Sequence, residues 1–195
     1  GFNGGSTLAV DERIGLVLLN TNLSAAMGGL VAFAHAHVAG HRDLAEKFLG
    51  GILGGLVAVT AGCHLVTPMG ALAIGAIAGL VHNTSYELLL RRWKLDDPVG
   101  AIPVHGFCGA FGTLAVAIFG RAEMFPHGRW YQLAVQVLGV VTCFVWSIGC
   151  ATVMYEILKR TVGLRVSQQE EERGVGLSGE HDGESAPGRG PEAGG

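Results

Sequence analysis

Charge is what this sequence has least of. Of its 195 residues only 15% are Asp, Glu, Lys or Arg, while 49% are hydrophobic. A soluble domain carries about a quarter charged residues, so the shortage, with a mean hydropathy of +0.42, points to a membrane. No strongly basic stretch is present, which argues against nucleic acid as a partner. The four cysteines (Cys63, Cys108, Cys143, Cys150) lie in or beside apolar runs and form no CxxC pair. They read as small packing residues rather than a disulfide or zinc framework. Neither a GxSxG elbow nor a P-loop occurs, and nothing calls for a cofactor or makes the chain an enzyme. There is also no initiator methionine and no signal peptide. The opening "GFNGGSTL" reads as the end of a truncated helix and an outer loop (1–10), so a fragment of a longer chain is expected.

What is present is long apolar sequence. Five stretches, approximately 13–39, 48–66, 69–90, 99–119 and 131–158, approach the ~20 residues that a helix needs to cross about 30 Å of hydrocarbon. The ten-residue alternation of a membrane barrel is missing. The expected fold is therefore an all-α integral membrane, polytopic helix bundle spanning 11–162 in a lipid bilayer. Polar joints separate the stretches: "GHRDLAEK", "VTP", "RRWKLDD" and "RAEMFPHGR". Joints rich in Arg and Lys alternate with poorer ones, which by the positive-inside rule puts the tail, 163–195, in the cytoplasm. From about Ser167 the tail turns to Glu, Gly, Ser and Pro, a composition that predicts disorder in its distal part. Glycines at 50/54, 51/55 and 75/79 form GxxxG pairs, and Gly106, Gly109 and Gly112 recur every three residues. Small residues at such spacing let helix backbones approach closely in lipid.

Few residues in these runs can carry chemistry. Asp96, Asp97 and Pro98 read as a helix start: an aspartate caps free backbone N–H groups, and proline loses nothing at the first helical position. His105 lies about two turns further on, beside glycines. It is either a buried core imidazole or a group facing a solvent path, since ionisable residues in membrane spans turn inward or line a pathway. His35, His37 and His41 include an HxxxH pair, His37/His41, which on one helical face could serve as metal ligands with Asp43 nearby. The alternative function is therefore a membrane metalloenzyme, although no second histidine box follows and no metal site is assigned. His82 stands beside Asn83, Thr84 and Ser85 in a polar patch.

The blocks "GFNGGSTL", "LLNTNLSAA", "GGLVAVTAGC", "DDPVGAIPVHGFCGAFGTLAVAIF" and "TVGLRV" resemble, in order and spacing, the ammonium transporter family (Amt/Mep/Rh), its bacterial-type branch, across roughly residues 1–185. The resemblance implies the second inverted repeat plus the last helix of an eleven-helix subunit, a homotrimer, and ammonium or ammonia as substrate. It implies that His105 is one of two pore-lining histidines, its partner belonging to the first repeat, with Thr60 close by. Phe2 would be an outer gate and Ser6 a hydroxyl that recruits ammonium there. A PII-type regulator is implied at the cytoplasmic tail, though the end of "GLRVSQQEEERGVGLSGEHDGES" departs from the family pattern. An ammonium sensor, the same pore fold feeding a signalling domain, is the nearer alternative.

Overall fold

The computed structural model describes residues 1–165. Every regular element among them is helical. The chain divides into two units, Gly1–Phe144 and Val145–Gly195.

The first unit opens with a single turn, α1 (Phe2–Gly5), followed by α2 (Glu12–Val38) and α3 (Leu44–Thr60). Next comes α4 (Pro68–Glu87), which widens into a π turn at Leu88–Trp93. A second π turn, Ile102–Phe107, leads into α5 (Cys108–Phe119), and α6 (Arg129–Thr161) begins after a short 3₁₀ turn at Ala122–Met124. Local chemistry sets these ends. Asp11, in extended backbone, accepts the amide of Arg13 and starts α2. At α4, Thr67 accepts the amide of Gly70 and Pro68 takes the first position, where its missing N–H has no partner to lose. Past α2, Gly40 turns the chain at φ +75, a left-handed conformation that favours glycine.

Glycine also decides the packing. A Cβ on Gly51 or Gly79 would run into the Gly28 carbonyl, and one on Gly55 or Gly75 into that of Ser24. Helices α3 and α4 therefore both touch the backbone of α2. The 51/55 and 75/79 pairs are contact faces, while Gly50 and Gly54 turn towards His82 and Cys108. Gly112 presses on the Ala58 carbonyl, but Gly106 and Gly109 meet only ordinary side-chain contacts. The core at these crossings is correspondingly small, with Ala58, Val59, Ala71, Ile74, Ala78 and Cys108.

Buried polar groups lock the turns. Asn20 donates to the carbonyls of Cys63 (2.9 Å) and Val66 (3.0 Å), holding the α3–α4 turn against α2. Arg129 caps the end of α5 through the carbonyls of Ala117 (2.5 Å), Ile118 (2.6 Å) and Gly120 (3.0 Å), where orphan C=O groups favour a cation.

Three of the described helical segments, Glu12–Val38, Ile102–Phe119 and Arg129–Thr161, are long and apolar enough to cross a membrane. Helix α3 has 17 residues, because "LAEK" joins the helix and Thr60 ends it six residues before the apolar run stops. Residues 166–195, on which the expectation of tail disorder falls, lie outside the described part.

In the second unit, the remainder of α6 carries an ion pair between Glu156 and Arg160 at 2.7 Å. It closes where the amides of Val162 and Gly163 both donate to the Leu158 carbonyl, with Gly163 at φ +83. This is the glycine-terminated end that free carbonyls require.

Candidate functional site

The segment before His105 is a designed turn rather than a simple helix start. Asp97 accepts the amides of Ala101 (Oδ1, 3.0 Å) and Ile102 (Oδ2, 2.7 Å), and its own carbonyl accepts the Gly100 amide at 3.0 Å. Pro98 and Val99 occupy the turn between, with Gly100 at φ +65. The expectation that Pro98 is the first helical residue is therefore corrected. The helix begins at Ile102 with Pro103 next, because the capped amides are those four and five residues beyond Asp97. Asp96 is exposed and makes no bond of this kind.

Pro103 has no N–H to give, and the amide of Cys108 reaches back five residues to its carbonyl. That makes the turn wide, of the π type that recurs at functional sites. Pro103 and Val104 face the core, while His105 projects outwards and is exposed.

His105 lines an open cavity of about 540 Å³ that also holds Phe2 and Thr60. Three of the sequence-assigned residues thus meet, from α1, the end of α3 and the π turn. Phe2 is 79% exposed. The rest of the lining includes Asn3, Thr21 and Asn22, which sequence reasoning missed. For Thr21 and Asn22 the signal was available in "LLNTN", where amides and a hydroxyl interrupt an apolar helix.

Hydrogen-bond roles give the cavity its character. Thr60 donates its proton to the Leu56 carbonyl (2.7 Å) and Thr21 to that of Val17 (2.7 Å), while Thr21 accepts from Asn3 at 3.0 Å. Ser6 donates to the Phe2 carbonyl at 2.9 Å. Each hydroxyl spends its one proton on a helix carbonyl and is left only an acceptor role towards a ligand, a role Thr21 already plays for Asn3. Such a wall accepts hydrogen bonds, which suits a ligand rich in N–H groups.

Ser6 itself opens on a neighbouring cavity of about 560 Å³ with Thr7, Arg13, Cys63, His64 and Arg121. Asn3 and Thr60 line both chambers.

The other histidines divide differently from the sequence pattern. Helix α2 ends at Val38, so His41 lies beyond it and the HxxxH spacing never becomes one helical face. His37 stacks on Phe33 at 6.2 Å, while His41 Nδ1 faces Asp43 (3.6 Å) and Glu87 (3.5 Å). Among the described residues no group of His, Cys, Asp and Glu is arranged to hold a metal ion. His82 is buried, bonded through Nδ1 to the Asn83 side-chain oxygen Oδ1 (3.1 Å). Asn83 donates to the Ala32 carbonyl at 2.8 Å and meets His35 Nδ1 at 3.2 Å. This joins α2 to α4 by a polar seam. Lys47, only 1% exposed, lies 3.1 Å from Glu87, 3.7 Å from Asp43 and 3.7 Å over the Tyr86 ring. Tyr86 in turn donates to Glu46 at 2.8 Å.

An all-α fold with apolar helices, glycine crossings and a polar-walled cavity beside a π-turn histidine defines an integral membrane helix bundle. The family model for the Ammonium Transporter Family matches residues 1–185, and the chain belongs to that family. It is 37% identical over 191 residues to ammonium transporter Amt2 of Archaeoglobus fulgidus, covering 91% of this chain and 41% of the relative. A putative ammonium transporter of Synechocystis sp. is also 37% identical, over 180 residues, with 91% and 33% covered. Among solved structures, the Sensor Amt Protein superposes with a TM-score of 0.86 at 41% identity, covering 95% of this chain and 45% of that one. Saccharomyces cerevisiae Mep2 gives 0.77 at 25% identity, with 86% and 40% covered. The chain spans less than half the length of these relatives.

Proposed function

We propose that this chain forms one half of an ammonium-conducting pore. The observation that carries the reading is the cavity that gathers Phe2, Thr60 and His105 beside hydroxyls whose protons are spent on helix carbonyls, in a chain of the ammonium transporter family. Ammonium is captured at the Phe2 and Ser6 side, where an aromatic face attracts a cation as it sheds water. It gives up a proton to water on that side, and neutral ammonia passes His105. An imidazole can donate or accept a hydrogen bond without trapping an uncharged guest. Potassium matches ammonium in size but has no proton to give up, so a dry pore of this kind rejects it. No covalent chemistry is performed.

The chain supplies the second inverted repeat and last helix, and the partner histidine comes from the first repeat. Pathways in such folds run at the interface between repeats. The complete protein is a homotrimer in the cell membrane with its C-terminus in the cytoplasm. Transport is preferred to sensing because the curated relatives carry transporter names, while one similar structure, at 41% identity, is named Sensor Amt Protein. The metalloenzyme reading loses its footing with the separation of His37 from His41.

The test is methylammonium uptake and potassium exclusion by the complete protein with His105→Ala. Altered conduction or selectivity is expected. Unchanged uptake with intact potassium exclusion would remove His105 from the pathway.

A further inference from the structure

The chamber that holds Ser6 is an unfavourable place for a cation. Its ionisable wall consists of Arg13, Arg121 and His64, with no carboxylate among the lining residues. The compensating charge is that of Asp11, which pairs with Arg13 where the two side chains are 37% and 76% exposed. Asp11 grips Arg13 with both oxygens, Oδ2 at 2.6 Å from Nη2 and 3.0 Å from Nε, Oδ1 at 3.3 Å from Nε. The same Oδ1 accepts the Arg13 amide at 2.9 Å and caps α2. The guanidinium and its amide hold the Asp11 carboxyl below the usual carboxylate range, so its negative charge persists throughout the neutral range.

We propose that Asp11 tunes cation recruitment: its carboxylate cancels the Arg13 charge at the chamber wall, so that ammonium meets a wall less positive by one unit. Asp11 touches no substrate and acts only through Arg13. The inference rests on the ammonium-transport reading and deepens it. It also explains why a cap that Ser, Thr or Asn would fill as well is here an aspartate beside an arginine. An uncompensated charge several ångströms from a cation repels it weakly in water and over a range set by salt. The screening length is about 30 Å at 0.01 M and about 3 Å at 1 M ionic strength.

The experiment is methylammonium uptake by the complete protein in proteoliposomes at low and high ionic strength. Asp11→Asn keeps an oxygen for the cap and removes the charge. It should raise KM about two- to fivefold at ~0.01 M ionic strength, leave kcat unchanged, and return to the wild-type KM in high salt. Arg13→Gln should lower KM under the low-salt condition, and the double variant Asp11→Asn/Arg13→Gln should bring it back towards wild type. Opposite signs that cancel are the mark of charge; a purely structural pair would make both single variants worse in any salt. An unchanged KM in Asp11→Asn, or single variants that shift together and ignore salt, overturns the proposal while leaving transport intact. Absence of uptake by the wild-type protein would instead bring down the transport reading, and this inference with it.

Discussion

Gly50 of α3 lies against the imidazole of His82 on α4, so close that a Cβ at position 50 would fall on its Nε2 and Cε1 atoms. The ring cannot swing aside freely, because Nδ1 is tied to Asn83, which is itself held by the Ala32 carbonyl. Gly50→Ala should therefore destabilise the bundle by about 1–3 kcal/mol, the range for overpacking a filled core. Gly109→Ala meets only Val57 at an ordinary 3.6 Å and should be tolerated. Thermal unfolding of the two variants in detergent separates them, and equal losses would deny the contact.

Lys47 should be the most sensitive charged residue. Lys47→Met leaves Glu87 and Asp43, 22% and 38% exposed, without the buried ammonium that pairs with both. Because both carboxylates reach water, the loss should be about 1–3 kcal/mol, that of an unsatisfied partner, rather than that of a fully buried pair. Glu87→Gln in the same chain should recover part of that loss, although Glu87 also pairs with Arg91. A double variant as unstable as the single one would mean that packing over Tyr86, rather than charge, matters there.

Asp97→Ala removes the acceptor for two amides and should cost about 0.5–2 kcal/mol, as loss of a helix cap does. Asp97→Asn should retain most of that stability. Because His105 stands on the turn that Asp97 starts, the alanine variant is also expected to lower methylammonium uptake at permissive temperature. Uptake unaffected by a measurable loss of stability would separate the cap from the site.

Thr60→Val replaces the hydroxyl shared by both chambers with an isosteric methyl. A hydrogen bond to a charged ligand contributes about 1.5–3 kcal/mol, so KM for methylammonium should rise about tenfold or more. Thr60→Ser, which keeps the acceptor, should stay within a few-fold of wild type. Equal effects from both would point to the methyl group instead.

His105 was legible in the sequence because an ionisable residue two turns into an apolar, glycine-rich run has few ordinary explanations. The glycine pairs were legible too, though not which of them faces backbone and which faces His82. Lys47 was not: in "GHRDLAEK" it reads as one more basic residue in a joint. Only the return of α4 brings Glu87 and Tyr86 to it from forty residues away. Asp11 likewise reads as a cap, and its second role depends on where the Arg13 side chain points.

Composition and periodicity by themselves determined that the chain is helical, apolar and closely packed, since length, glycine spacing and scarce charge follow from the cost of exposing polar groups to lipid. They also singled out His105 and the Asp97 start. The three-dimensional arrangement alone decided that Pro98 sits in the turn, that His37 and His41 part, and that Phe2, Thr60 and His105 share a cavity. Those outcomes depend on which amides a carboxylate can reach, on the wide turn at Pro103, and on contacts between elements far apart in the chain. Local sequence constrains none of these distances until the helices have packed.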